Sequence, residues 1–276
     1  MTYIHAVGID VETTGTSPAD DTPVELAAVG LRFDPATGTH DYFQKIFDTC
    51  IDPGRDIPPA ASAVHHLTAE HVRGQPHLAA ALHGLEEAVR PFEPTLLVAH
   101  NASFEAGFLP DLAAKLVPGD PRWACTLRLA QHVWPDAPSF GLQALRYWRG
   151  VMQGERTTTA HQAWFDAACS ARLLVELCLA MTAAGETVTP RLLLDRSHHM
   201  PLLLRVPLGK HKGKRWSEVP EDYCRWLVDK AEAGTGEPFD PAVVETARAA
   251  LRGVFAQPSD PEAPKDVRRN LRSVST

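Results

Sequence analysis

The chain has 276 residues, 44% of them hydrophobic, enough to bury a sizeable core as one large domain or a medium domain with a small one. Its formal net charge of −7 is uneven: residues 1–195 hold 13 Lys+Arg against 23 Asp+Glu, and residues 196–276 hold 14 against 11. An acidic front with a mildly basic back points to two units with different jobs, and net acidity does not exclude nucleic acid as substrate, since local charge and bound cations decide that. No run of about 18 apolar residues exists, so no membrane span is expected. The start lacks the charged and apolar regions of a signal peptide. Five cysteines at irregular spacing form neither a disulfide framework nor a zinc pattern, and a reducing cytoplasm is the expectation.

In chain order, residues 3–10, 24–33 and 42–51 read as three strands with short joins, an antiparallel meander. Residues 77–89 carry Leu78, Leu82, Leu85 and Val89 at helical spacing. Residues 95–99 form a short buried strand, followed from Ala102 by a helix that is disturbed at Pro110 and resumes through Leu116. A strand then a helix is expected over 123–133, a helix over 141–148, and the longest helix over 160–183. Strands first, then strands alternating with helices, predict an α/β domain on a mixed sheet over residues 1–185. Residues 186–200 read as a linker. Residues 201–256 read as a small α+β module, with a basic hairpin over 207–216 and helices over 220–231 and 241–254. Residues 257–276 read as a disordered tail.

Three stretches carry chemistry. Val7-Gly8-Ile9-Asp10-Val11-Glu12-Thr13-Thr14-Gly15 reads as a strand running into a tight turn. Alternation puts Asp10 and Glu12 on one face and Ile9 and Val11 on the other. Two carboxylates at the end of a buried strand repel unless a cation lies between them, and an all-oxygen set suits Mg²⁺ or Mn²⁺. Alone, Asp-x-Glu is a common chance pattern. The second stretch, from His100-Asn101-Ala-Ser-Phe104-Glu105, is a strand end, a turn and a helix start, with Glu105 one turn in. Asn101 by itself reads as a helix cap. The third runs from His161 to Asp166. Five residues turn a helix by about 500°, roughly 140° off one face, so the two meet at one site only if His161 lies in the loop or first turn. By itself His161, one of 13 histidines, reads as a surface residue.

In order and spacing these stretches resemble the DEDDh group of 3′–5′ exonucleases (DnaQ-like), over roughly residues 3–183. Intermediate stretches around Ile57 to Thr68 and Cys125 to Ala130 fit as well. The resemblance implies a ribonuclease H-like sheet and a metal-dependent phosphodiester hydrolase that releases nucleoside 5′-monophosphates from a 3′ end. It implies two divalent cations, Mg²⁺ or Mn²⁺, held by Asp10, Glu12, Glu105 and Asp166, one activating a water and the other stabilising the leaving 3′-oxygen. It makes His161 the general base, a residue type that titrates near neutral pH. Thr13, Thr14, His65, Asn101 and Phe104 would hold the terminal nucleotide. One departure stands out: the group usually has Asp where this chain has Glu105, one methylene longer.

The stretch Pro207-Leu-Gly-Lys210-His-Lys212-Gly-Lys214-Arg215-Trp216 is similar to the small module that follows the nuclease in the exonuclease X branch of that group. Four cations in six residues make Lys210, Lys212, Lys214 and Arg215 candidate nucleic-acid contacts, with a solvated surface an equal reading. Trp216 and Trp226 read as core more than as stacking surfaces. DNA is favoured as substrate through this branch alone. The competing readings are an exoribonuclease, a proofreading subunit acting mainly as a DNA polymerase partner, and a non-catalytic binding module. The last is disfavoured because all four acidic positions and His161 are present.

Overall fold

The computed structural model describes residues 3–119, 122–152, 161–234 and 239–255. The predicted tail over 257–276 and the first expected turn of the longest helix, at residue 160, lie outside them.

By its internal contacts the chain divides into two units, Met1–Val133 with Ala137–His199, and Trp134–Asp136 with Met200–Thr276. The first is built on a five-stranded sheet. β1 (Ile4–Thr13), β2 (Pro23–Phe33) and β3 (His40–Cys50) form the expected antiparallel meander. α1 (Pro59–His65), α2 (Ala69–Val72) and α3 (Leu78–Val89) lead to β4 (Leu96–Ala99), which joins β1 in parallel. α4 (Ala102–Phe108) and α5 (Leu112–Leu116) are separated at Pro110. β5 (Trp123–Cys125) then extends the parallel edge, giving the order β3-β2-β1-β4-β5. α6 (Thr126–Val133), α7 (Leu142–Arg149) and the 21-residue α8 (Ala163–Ala183) follow.

The alternation of β1 decides what lies on each face. Val7, Ile9 and Val11 pack with Leu26, Leu85, Val89, Phe108 and Leu109 in the core under α3, α4 and α5. The opposite face carries Gly8, Asp10 and Glu12, and α8 lies on it. A Cβ on Gly8 would stand 2.5 Å from the Ala167 carbonyl oxygen, so glycine here lets α8 press against β1. That approach sets Asp166 over the carboxylates of the strand.

Residues 186–200 are not a linker. Thr189 caps a helix, α9 (Pro190–His198), by accepting the Leu192 amide at 3.2 Å, with Pro190 in the first turn. Leu193 and Leu194 are buried, and the Ser197 hydroxyl accepts the Cys125 amide at the edge of β5, so α9 belongs to the first unit.

The second unit is helical among its described residues. α10 (Glu221–Glu232) packs on α11 (Pro241–Leu251) around Trp216, Tyr223, Leu227, Val243 and Ala247. The expected strands reduce to one bridge between Arg205 and Arg215, because glycines at positive φ (Gly209, Gly213) and a 3-10 turn over Gly209–His211 curl the basic stretch back on itself. Its backbone is held by Val206 N–H to Lys214 at 2.9 Å and Gly213 N–H to Val206 at 2.8 Å.

Candidate active site

The sheet changes direction at β1, antiparallel to β2 on one side and parallel to β4 on the other, and ligand crevices in open α/β sheets form at such switch points, beyond the strand ends. Asp10 and Glu12 lie at that end of β1. The pairing with β2 shifts register between Glu12 and Thr13, and such irregularities re-aim side chains. α4 starts right after β4 and buries Glu105 to 4% exposure. The α8 start brings Asp166, and His161 lies two residues before the helix in the left-handed region, φ 61°. That conformation is uncommon for a residue with a side chain. It turns the imidazole back, so that Nδ1 stands 4.0 Å from Asp166 Oδ2. Ligand atoms of Glu12, His161 and Asp166 all lie within 4.8 Å of one another.

The electrostatics describe a cluster that opposes its own ionisation. Burial pushes Asp10 well above the usual carboxylate range, with Glu105, Glu12, Asp166 and Glu25 adding to the shift. Glu12 is raised to about 8, by burial and then by Asp166, Glu25 and Glu105. Burial raises Glu105 to about 8, and its Oε2 is buried with no hydrogen-bond partner. Asp166 is raised by burial but held down by His161, by Gln143 and by Arg146. A donor set of carboxylate oxygens, one of them unpartnered, in excess negative charge fits a hard divalent cation.

Two residues that sequence reasoning missed organise this cluster. Gln143 of α7 donates from Nε2 to Asp166 Oδ1 at 2.7 Å, and no local pattern announces it. Glu25 stands opposite Glu12 in the register of β1 and β2, and its Oε2 accepts the first amide of α8, Ala163 N–H, at 3.1 Å. A lone charge inside the apolar run Val24 to Val29 was the available signal.

The substrate-side residues are placed as follows. Thr13 and Thr14 are buried. The Thr14 hydroxyl donates to Asp21 at 3.1 Å and accepts the Thr22 amide at 3.0 Å, pinning the turn after β1. His65 is buried beside it, its Nδ1 accepting the Leu67 amide at 3.0 Å, which places the proton on Nε2. Its pKa is lowered by burial, with the Thr13 backbone acting the other way. Phe104 is half-buried, 4.9 Å from the Phe108 ring. Asn101 occupies the cap position of α4 without capping it: its Oδ1 accepts the Ser103 hydroxyl instead. His100 is structural, pinned between Thr126 Oγ1 at 3.0 Å and the Phe140 carbonyl at 2.8 Å, and burial lowers it to about 4. Lys210, Lys212 and Lys214 are exposed on the second unit and Arg215 is half-buried there.

The profile of the Exonuclease family matches residues 7–174, a stretch that includes Asp10, Glu12, Glu105, His161 and Asp166. The chain belongs to that family. It is a hydrolytic 3′–5′ exonuclease of the divalent-metal-dependent kind. Exodeoxyribonuclease 10 of Escherichia coli (strain K12) is 29% identical over 192 residues, covering 68% of this chain and 78% of that one. The DNA polymerase III subunit epsilon-like protein of Rhodobacter capsulatus is 32% identical over 205 residues, 71% of this chain and 27% of that one. Among solved structures, E. coli Exonuclease I in complex with a dT13 oligonucleotide covers 92% of this chain and 72% of its own, with a TM-score of 0.54 at 15% identity, a likeness of fold. Among the described residues no helix is long and apolar enough to cross a membrane.

Proposed function

We propose that this exonuclease acts on DNA, releasing nucleoside 5′-monophosphates, with two cations held by Asp10, Glu12, Glu105 and Asp166. The observation that carries the reading is convergence. Carboxylates from β1, α4 and α8 meet at one strand end, and one of them keeps a buried oxygen with no partner inside the protein. When bound, divalent cations supply charge neutralisation for an attacking water and a departing 3′-oxygen. With Nδ1 toward Asp166, His161 has Nε2 left to take the proton of that water, and its side chain is 50% exposed and open to substrate. Thr13, Thr14, His65, Asn101 and Phe104 are assigned to hold a terminal nucleotide, with Phe104 offering a ring to its base. Lys210, Lys212, Lys214 and Arg215 add cationic groups for phosphate on the second unit. DNA is preferred over RNA because the relative from E. coli is an exodeoxyribonuclease. A polymerase partnership is supported only by the name of the R. capsulatus relative, of which this chain spans 27%.

The test is digestion of matched 5′-labelled DNA and RNA oligonucleotides with Mg²⁺, Mn²⁺ or EDTA. The expected result is stepwise shortening from the 3′ end, faster on DNA, with 5′-monophosphate products and no reaction in EDTA. Faster RNA digestion would overturn the DNA preference, and cleavage undiminished by EDTA would overturn the metal site. Full activity without a co-purifying polymerase would set the partnership aside.

A further inference from the structure

The second unit carries an aromatic surface that its own core does not use. Trp216 is 2% exposed, whereas Trp226, on the same small unit, is 46% exposed. Trp226 lies nearly parallel to Tyr223, with centroids 5.4 Å apart and planes at 25°, and forms a T-shaped pair with Phe239 at 5.9 Å. Cations accompany every ring. Lys230 Nζ lies 5.3 Å from the Trp226 centroid and 5.5 Å from that of Phe239, and Lys210 Nζ lies 5.4 Å from Tyr223. The basic turn is seated on the same row: His211 meets Tyr223 edge-on at 4.6 Å, and Gly209 lies so close to the Tyr223 hydroxyl that a Cβ there would stand 2.5 Å away. The carboxylate that acts on His211 is Asp222.

We infer that Trp226, with Lys230, Phe239 and the Lys210 turn, is a stacking platform for single-stranded nucleic acid, separate from the catalytic residues. The pairing of ring faces with ammonium groups decides the occupant. Nearly half of Trp226 is exposed, and a base that stacks on that exposed part brings its adjacent phosphates to Lys230 and Lys210; stacking of this kind tolerates any base. An apolar protein surface would bury these ammonium groups without counter-charge, whereas the phosphates of a strand neutralise them. The platform deepens the nuclease reading and rests on it only for the nature of the polymer: a second hold on the strand keeps the substrate local between cleavage steps.

The experiment uses the full chain in EDTA, with fluorescent dT30, rU30, a blunt DNA duplex and an abasic 30-mer. Trp226→Ala is expected to weaken dT30 and rU30 binding by about 10-fold, within the range for one stacked base, and to leave duplex and abasic strand unaffected. Trp226→Phe should restore most of the loss. Lys230→Gln should lower the salt slope by about one counterion. An unchanged affinity of Trp226→Ala for dT30, or an equal loss on the duplex, overturns the platform, as does a Trp226→Ala defect confined to capture of a protein partner. Hydrolysis of thymidine 5′-(p-nitrophenyl phosphate) with Mn²⁺, which presents a single nucleotide to the active site, should be equal in Trp226→Ala and wild type. If wild type does not shorten dT30 in Mn²⁺ the nuclease reading falls, while the binding data in EDTA still decide the platform.

Discussion

Replacing Glu105 by Gln separates the electrostatic cost of the site from its use. The side chain is 4% exposed, so solvent does little to screen it. Its carboxyl moves from an ordinary 4.5 to about 8 through burial. A raised folded-state pKa means that the folded protein holds a proton that the unfolded chain releases, so stability is full below about pH 4.5 and lost as pH rises through 8. At about 1.4 kcal/mol per factor of ten, the loss is on the order of 5 kcal/mol, a large share of the roughly 5–15 kcal/mol that holds a domain together. Glutamine keeps the shape and never ionises.

In EDTA at pH 8.5 the Glu105→Gln variant should therefore melt higher than wild type. At about 2–4 °C per kcal/mol the ceiling is roughly 10–20 °C, and an amide left short of partners takes back part of it. At pH 5 the two proteins should melt together. With Mn²⁺ the order should reverse, because mass action stabilises the protein that binds the cation, and turnover of the variant should fall by orders of magnitude. Differential scanning calorimetry at the two pH values, with and without metal, reads all of this. A variant that melts no higher than wild type in EDTA at pH 8.5, or one raised equally at pH 5, refutes the argument.

His161→Ala should lower turnover by roughly 10²- to 10⁴-fold while the Mn²⁺-dependent rise in melting temperature persists; loss of both would make His161 a ligand rather than a base. Glu105→Asp should stay active and narrow the gap between Mn²⁺ and Mg²⁺ rates, because the longer side chain fits the exacting Mg²⁺ geometry less well; an unchanged ratio in steady-state kinetics counts against this. Glu25→Ala removes the acceptor for Ala163 N–H and should cut kcat by at least about 10-fold with KM little changed, whereas Glu25→Gln, which keeps an acceptor, should recover most of it. Trp216→Ala should cost about 3–5 kcal/mol in the second unit, seen as a separate early transition by calorimetry while the ester substrate is still turned over.

The sheet was readable because burial imposes a period of two. Ile9 and Val11 fall on the core side and Asp10 and Glu12 on the other without any knowledge of the partners. That His161 must lie in the loop or first turn if it is to meet Asp166 was readable from 3.6 residues per turn, and the structure places it two residues before α8. The fold that puts three distant stretches together was legible only through the resemblance. Where the reading failed, the cause was local. Residues 186–200 read as a linker, yet after Thr189 a proline in the first turn starts a helix. Trp226 and Leu227 are neighbours on α10, and periodicity alone does not say which edge of a stripe stays open: Tyr223 and Leu227, four apart, took the core and left Trp226 outside. Gln143 reaches Asp166 across 23 residues of chain, a tertiary contact with no sequence period.

Those missed contacts explain how the site stands at all. Asp10, Glu12, Glu105 and Asp166 repel one another, and Glu25 opposite Glu12 makes a fifth like charge. Left to Coulomb forces, α8 would retreat from β1 and carry Asp166 away. Three features oppose that. Gly8 removes the side chain that would hold the helix off the strand. Gln143 satisfies one oxygen of Asp166 without adding charge. Glu25 meets the first amide of α8, where the helix dipole is positive, so that the fifth carboxylate draws the helix in rather than pushing it out. The repulsion is thereby held in place, and a cation entering the cluster gains the full attraction of carboxylates already assembled.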